Sequence, residues 1–475
     1  MMREVLGKLC LAAVVGLLGC VGAGAQGHAA RDAKTAPVLM LSDLHFDPFH
    51  DPAQGAKLVD APIEQWDAIL KSAPSEHQAE SFAAIQTACH ARGVDTDFAL
   101  LGASLHAAQE HARDLAFVTV TGDLLVHGFD CRYKFVTHSD VGYAEFAERT
   151  ARYVMHSVEA AFPAVSVYIA LGNNDSSCGD YRMDQHDRFL QATSDLVIAG
   201  LRGASAPEAK AARADYEAGG YFSVSLKTPR RTRLLALDDI FLSEKYATCA
   251  GKPETAGANA ELAWLDHQLT EAKQHGESVW VIGHIPPGLD IYSTLRAMKD
   301  VCTGAKVKTY LGSDRPVELL VEHADIVRLG LFAHTHSDEM RLLDERVPVK
   351  LVSSISPVNG NRPTFTIARV DAASAAMSDY TVFEASNATG IETSWSPEYS
   401  FRETYHEPEF SGRSIADLTR QFQADPEGAK PASHAYETYF APGMVPILEL
   451  VWSQYACALD HTTAEGYKAC SCSAK

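Results

Sequence analysis

The sequence predicts an α/β fold: a layered β-sandwich flanked by helices, with a helical extension at the C-terminus. Three observations predict it. Short, continuous apolar runs recur along residues 36–370, as strands covered on both faces do. Segments with apolar residues at helical spacing lie between them. Five of the runs end in a residue able to bind a metal ion. In layered α/β folds, ligands gather at the carboxyl ends of strands, so such residues can meet at one rim of the sheet.

The N-terminus reads as a targeting segment. Arg3 and Lys8 form a basic flank, and residues 9–21 form an apolar run too short to span a bilayer. Small residues at Ala23, Gly24 and Ala25 precede Gln26, so residues 1–25 are assigned as a signal peptide and the chain as secreted or periplasmic. Leu17, Leu18, Gly19 and Cys20 also resemble a lipobox, which makes a lipoprotein anchored at Cys20 the alternative and an uncleaved anchor the third option. No later run of about 18 apolar residues predicts a further membrane span.

The first strand is predicted at 36–42, ending at Asp43. Residues 50–115 form a helical insert, with helices over 79–91 and 98–112. A second strand, 117–121, ends at Gly122 and Asp123, and a helix follows at 143–161. The strand at 166–171 ends at Gly172 and Asn173. Residues 219–226 and 232–237 form a strand pair about a turn at Thr228 and Pro229. A helix over 260–275 presents Leu262, Leu265 and Leu269 on one face. Strands at 278–282 and 327–332 end at His284 and His334, and strands at 350–354 and 364–370 complete the sheet. Residues 37–384 thus make one domain. The aromatic-rich stretch 385–475, with a helix over 444–455, makes the C-terminal extension.

Of ten cysteines, Cys10 and Cys20 fall in the export segment. The even remainder, Cys89, Cys131, Cys178, Cys249, Cys302, Cys457, Cys470 and Cys472, favours disulfides in an exported chain. Their connectivity is not readable; Cys470 and Cys472 are read as staples for the tail.

Taken in order, the strand ends are Asp43-Leu44-His45, Gly122-Asp123, Gly172-Asn173-Asn174-Asp175, Gly283-His284 and His334-Thr335-His336. Asp43, His45, Asp123, Asn173, His284, His334 and His336 supply hard oxygens and imidazoles but no thiolate. That set suits zinc foremost, with manganese or iron as alternatives. Seven ligands are too many for one tetrahedral ion and suit two, with Asp123 the central candidate to bridge. Two divalent ions can clamp a phosphate and lower the pKa of a bridging water, so that a metal-bridging hydroxide forms near neutral pH. The formal net charge of −20 fits this reading. It argues against a nucleic-acid duplex as partner, and leaves bound cations to hold an anionic substrate. A phosphate ester or phosphodiester is the expected partner, and the chain is expected as a monomer.

This order of motifs resembles the calcineurin-like metallophosphoesterase superfamily, and within it the acid sphingomyelinase-like phosphodiesterases. The resemblance covers Pro37 onward, and it rests on residues 42–47 (SDLHFD), 121–123 with His127, 283–288 (GHIPPG), 334–336, and the tail segments 395–399 and 402–405. It implies the metallophosphoesterase fold and two metal sites. One site would take Asp43, His45, Asp123 and His336; the other would take Asp123, Asn173, His284 and His334. It implies that His127 is a general acid for the leaving oxygen. Two positions depart from the family pattern. Asn174 stands where a substrate-acting histidine is usual; an amide can hydrogen-bond a phosphoryl oxygen but cannot deliver a proton. Ala333 stands where glycine is usual.

Asn174 is retained as a substrate-binding candidate beside His127. It also motivates a second reading, a polyphosphatase or phosphomonoesterase on the same fold. A third, of another class, is a catalytically inactive metal-containing binding protein. Asp175 is read as orienting a neighbour, and Arg362 as a plain turn residue.

Overall fold

The computed structural model describes residues 35–228, 230–296, 301–444 and 448–473. The signal peptide assigned to 1–25, Cys20, and Pro229 of the predicted turn lie outside the described residues. Among the described residues no helix is long and apolar enough to cross a membrane.

Among the described residues twelve strands form two six-stranded sheets. The first sheet contains β1 (Thr35–Leu41), β2 (Phe117–Thr121), β3 (Ser166–Ala170), β10 (Thr364–Asp371), β11 (Met377–Ala385) and β12 (Trp395–Ser400). The second contains β4 (Phe222–Leu226), β5 (Thr232–Ala236), β6 (Ser278–Ile282), β7 (Val327–Phe332), β8 (Glu339–Leu343) and β9 (Val347–Leu351). The orders are β12-β11-β10-β1-β2-β3 and β4-β5-β6-β7-β9-β8. β1, β2 and β3 run parallel, as do β5, β6, β7 and β9. The carboxyl ends of β1, β2 and β3 therefore open at one rim of their sheet, and those of β5, β6 and β7 at one rim of theirs.

Alternation along the strands builds the layers. In β6, Trp280 and Ile282 face the core shared by both sheets, where Trp280 meets Phe117 edge-on at 5.7 Å. Val279 and Val281 face the other way, onto Leu265 and Leu269 of the helix Ala256–Gln274 and Leu319 and Leu320 of the helix Arg315–Glu322. Period-two burial on a strand packed against a helix stripe is what fixes its register. The helix Tyr143–Ala161 buries Phe146, Ala151, Val154, Met155 and Val158 in the main core.

Three strands were not predicted. β8 carries Glu339 and Arg341, both buried and paired with each other at 3.1 Å. β11 and β12 extend the first sheet, so residues 395–400 contribute an edge strand where only helices were anticipated. β9 occupies 347–351 rather than 350–354. The tail does carry the helices Gly412–Gln423, Pro431–Tyr439, Trp452–Ala458 and Ala464–Ser473. Where one helix was predicted over 444–455, the described residues show a short 3₁₀ turn, Glu449–Val451, and then the helix from Trp452.

Among the described residues four disulfides join the chain: Cys89–Cys131, Cys178–Cys249, Cys302–Cys472 and Cys457–Cys470. The first ties the helical insert to the helix Phe129–Thr137, and the last two fasten the tail. Four bridges fit an oxidising, extracytoplasmic setting.

Candidate metal centre

The loops that leave the parallel strands lie side by side. The backbone amides of Asp43 and His45 donate to the carbonyls of Gly122 and Asp123 at 3.0 and 2.9 Å, and the Ala333 amide donates to the His284 carbonyl at 2.8 Å. Asp43, His45, Asp123, His334 and His336 all adopt positive φ, between 39° and 72°. This region is disfavoured for residues with a side chain, at roughly 1–3 kcal/mol each, and such strain clusters at functional sites. Here it turns successive side chains toward one point. Gly172 makes room for that point, because a Cβ there would lie 2.2 Å from Asp123 Oδ1.

Asp123 sits at the centre. Its Oδ2 lies 3.3 Å from His45 Nε2 and 3.1 Å from His284 Nε2. Its two oxygens accept from the backbone amide and the side-chain amide of Asn174, each at 2.9 Å. The ligand-type atoms fall into three overlapping groups: Asp43, His45 and Asp123; Asp123, His284 and His334; and His45, His127 and His336. All seven predicted ligand positions line this rim, and Asp43, His45, Asp123, Asn173, His284 and His336 are buried.

Hydrogen bonds choose which nitrogen each ring presents. His45 Nδ1 donates to the Leu125 carbonyl at 2.8 Å and His284 Nδ1 to the Thr121 carbonyl at 2.7 Å, which leaves Nε2 of both facing inward. His334 is turned the other way: Nε2 is 3.1 Å from the Tyr181 hydroxyl and Nδ1 faces His284 Nε2 at 3.2 Å. His336 Nε2 faces His45 Nε2 at 3.2 Å. His45, His284 and His334 thus have the outer nitrogen engaged and the inner one facing the site, as metal-binding histidines do.

The residues fit divalent cations. Both oxygens of Asp43, the Oδ1 of Asn173 and the Nδ1 of His336 are buried without a hydrogen-bond partner, and buried polar atoms otherwise find one. Charge tells the same story. Burial alone would raise Asp43, but His336, His45 and His284 bring its carboxyl down to about 2. Burial likewise opposes Asp123, yet His284 and His45 hold it well below the usual range. Burial disfavours charge on His45 and His284, but Asp123 pushes them up to about 9 and about 10. His334 is held well below its ordinary value by burial and by His284, and burial takes His336 down to about 4.

His127 stacks on His45 with ring centroids 3.9 Å apart. Its Nδ1 is 3.1 Å from Oδ1 of Asp95, a buried carboxylate that also accepts from Ser356 Oγ at 2.7 Å. Asp95, in the loop of the helical insert, was missed by the sequence reading; no strand end or motif marks it. Asp175 accepts from the amides of Leu124, Leu125 and Gly172, and so shapes the turn behind Asp123. Arg362 pairs with Glu384. Beside His334 opens a cavity of about 240 Å³ lined by Tyr181, Lys245, Lys308 and Tyr310, with Lys245 Nζ 3.1 Å from the Tyr181 hydroxyl.

No protein-family model matches the chain. It is 24% identical over 399 residues to acid sphingomyelinase-like phosphodiesterase 3b of Mus musculus, spanning 79% of this chain and 80% of that one. It is 26% identical over 326 residues to sphingomyelinase phosphodiesterase D of Dictyostelium discoideum, spanning 66% of each. Among solved structures, a dimetal phosphatase from Danio rerio covers 77% of this chain and 99% of its own, at 11% identity and a TM-score of 0.39.

Proposed function

We propose that this chain, a metal-dependent phosphoric ester hydrolase of the acid sphingomyelinase-like group of metallophosphoesterases, cleaves a phosphodiester at the rim where its parallel strands end. The observation that carries this reading is Asp123, a buried carboxylate between two sets of imidazoles, each with a nitrogen aimed inward.

Asp43, His45, Asp123 and His336 would hold one divalent cation, and Asp123, Asn173, His284 and His334 the other. Zinc is the ion this donor set suits best, with manganese or iron as alternatives. Such a pair of cations supplies charge neutralisation for the phosphate and an activated water.

The protein's own residues do the rest. Asn174 steadies Asp123 with both of its amide donors. Asp95 accepts a hydrogen bond from the Nδ1–H of His127, which leaves Nε2 as the nitrogen that would carry a proton to the leaving oxygen. Burial opposes charge on Asp95, but His127 beside it keeps the carboxylate ionised. A carboxylate there stabilises the imidazolium and fixes the ring.

The test is a substrate panel. Purified protein, loaded with zinc or manganese, is offered a nitrophenyl phosphodiester, the corresponding monoester, ATP, sphingomyelin and polyphosphate. Turnover of a diester supports the proposal, and release from the monoester alone overturns it.

A further inference from the structure

We infer that Asp180 is a positioning residue: it holds the Asn173 side chain so that the amide oxygen, and not the amide nitrogen, faces the cation site. The inference rests on the reading of Asn173 as a metal ligand and deepens it.

An asparagine amide has two ends of nearly equal size and opposite chemistry. Only the oxygen has a lone pair to give a divalent cation; the NH₂ end presents hydrogens. Something must choose between them. The choice is set by what bonds the NH₂ end.

Asp180 makes it. Asn173 Nδ2 donates to Asp180 Oδ1 at 2.6 Å, and Asn173 Oδ1 is left buried without a hydrogen-bond partner. An ionised carboxylate accepts and never donates, so it can meet only the NH₂ end. The loop is shaped to present it: the Tyr181 amide donates to the Asn173 carbonyl at 2.9 Å, closing residues 173–181 on themselves, and Cys178–Cys249 pins the same loop to the segment that carries Lys245. Asp180 itself is solvent-exposed, so its side chain can be changed without opening the core.

The experiment counts metal ions per chain by elemental analysis after dialysis, and titrates the weaker ion. Wild-type protein is expected to retain two ions. Asp180→Ala is expected to retain one and to bind the second about 10–100-fold more weakly, the usual effect of removing a partner that orients a ligand. Asp180→Asn keeps the shape, but its amide can turn either end toward Asn173, so it is expected to bind the second ion more weakly than wild type and more tightly than Asp180→Ala. Asn173→Asp combined with Asp180→Ala is expected to restore binding, because a carboxylate has no wrong end.

Three outcomes overturn the inference. Asp180→Ala with wild-type affinity would mean that no orienting is needed. Asp180→Asn as tight as wild type would mean that an acceptor-only partner is not what selects the amide end. Failure of the double variant to recover would point to the shape of the loop. Asn173→Ala serves as the separate check: two tightly held ions in that variant would overturn the reading of Asn173 as a ligand, whatever Asp180 does.

Discussion

His127 Nδ1 lies 3.1 Å from Oδ1 of Asp95, and the same oxygen accepts from Ser356 Oγ at 2.7 Å. The pair joins the loop after β2 to the helical insert, and it leaves His127 Nε2 as the end of the ring free to act. If His127 protonates the leaving oxygen, its removal should matter in proportion to how badly the leaving group needs a proton. His127→Ala should lower kcat about 10²–10⁴-fold for a diester with an alkyl leaving group. It should have a much smaller effect on a nitrophenolate, which departs as a stable anion. Asp95→Asn should show the same leaving-group pattern at smaller size. Steady-state rates on the two diesters check this; equal losses on both would remove His127 from the acid role.

Asp123 Oδ2 lies within 3.3 Å of an imidazole nitrogen of each set, so its loss should not resemble the loss of any other ligand. Asp123→Ala is expected to release both ions. His336→Ala should release one and His284→Ala the other. Elemental analysis of the dialysed variants distinguishes these cases, and activity lost to a chelator should return on adding zinc or manganese. A single ion retained by Asp123→Ala would show that the two sites do not share it.

The pH dependence of ion binding follows from the imidazoles. Asp123 pushes His45 up to about 9 and His284 up to about 10 against the cost of burial. A cation must therefore displace protons from these two nitrogens at neutral pH. Apparent affinity should rise with pH while both are protonated, by up to tenfold per unit for each proton released, and level off above pH 9–10. Protons freed on adding zinc to weakly buffered protein give a direct count. The stability of the chelated protein should run the opposite way. Groups raised above their ordinary value of 6.5 contribute fully below that pH, and the contribution is lost as pH climbs through their folded values. Denaturant midpoints at pH 6 and pH 9, measured with chelator, should therefore fall as pH rises in so far as these two groups govern them.

How much of this was legible in the sequence depends on whether the signal was local. β1, β2, β3, β6 and β7 announce themselves, because a run such as FVTVT is buried on both faces and ends abruptly at a polar residue. The seven ligand positions inherit that clarity. β8 was hidden because Glu339 and Arg341 look like a solvated segment; only the fold shows that they neutralise each other out of water, with Tyr455 donating to the same glutamate at 2.6 Å. β12 contains Pro397, which reads as a break and is tolerated on an edge strand. Asp95 and Asp180 sit in loops with no periodicity at all. Their partners, His127 and Asn173, were both legible, but pairing with them is a fact of tertiary placement.

Arg132 shows how much of the site's precision comes from outside the ligand set. It is 1% exposed as a side chain and pairs with Asp47 at 2.9 Å, itself wholly buried. The same guanidinium reaches Gln86 Oε1 at 2.6 Å and, through Nε, the carbonyl of His127 at 3.0 Å. It thereby ties the His127 loop to the segment that follows His45. Removing one member of a buried ion pair leaves the other charged in a dry environment, typically at a cost of roughly 3–5 kcal/mol. Arg132→Met should lower the denaturation free energy by about that amount, and Asp47→Leu by a similar amount. The double variant should recover much of the loss, because two apolar groups leave no orphaned charge. Activity should separate from stability here. With the His127 carbonyl released, the double variant should still turn over an alkyl-leaving diester more slowly than wild type, while its ion count stays at two. Urea melts, metal analysis and rates on the three proteins check the pattern; a fully active double variant would show that His127 is held by Asp95 alone.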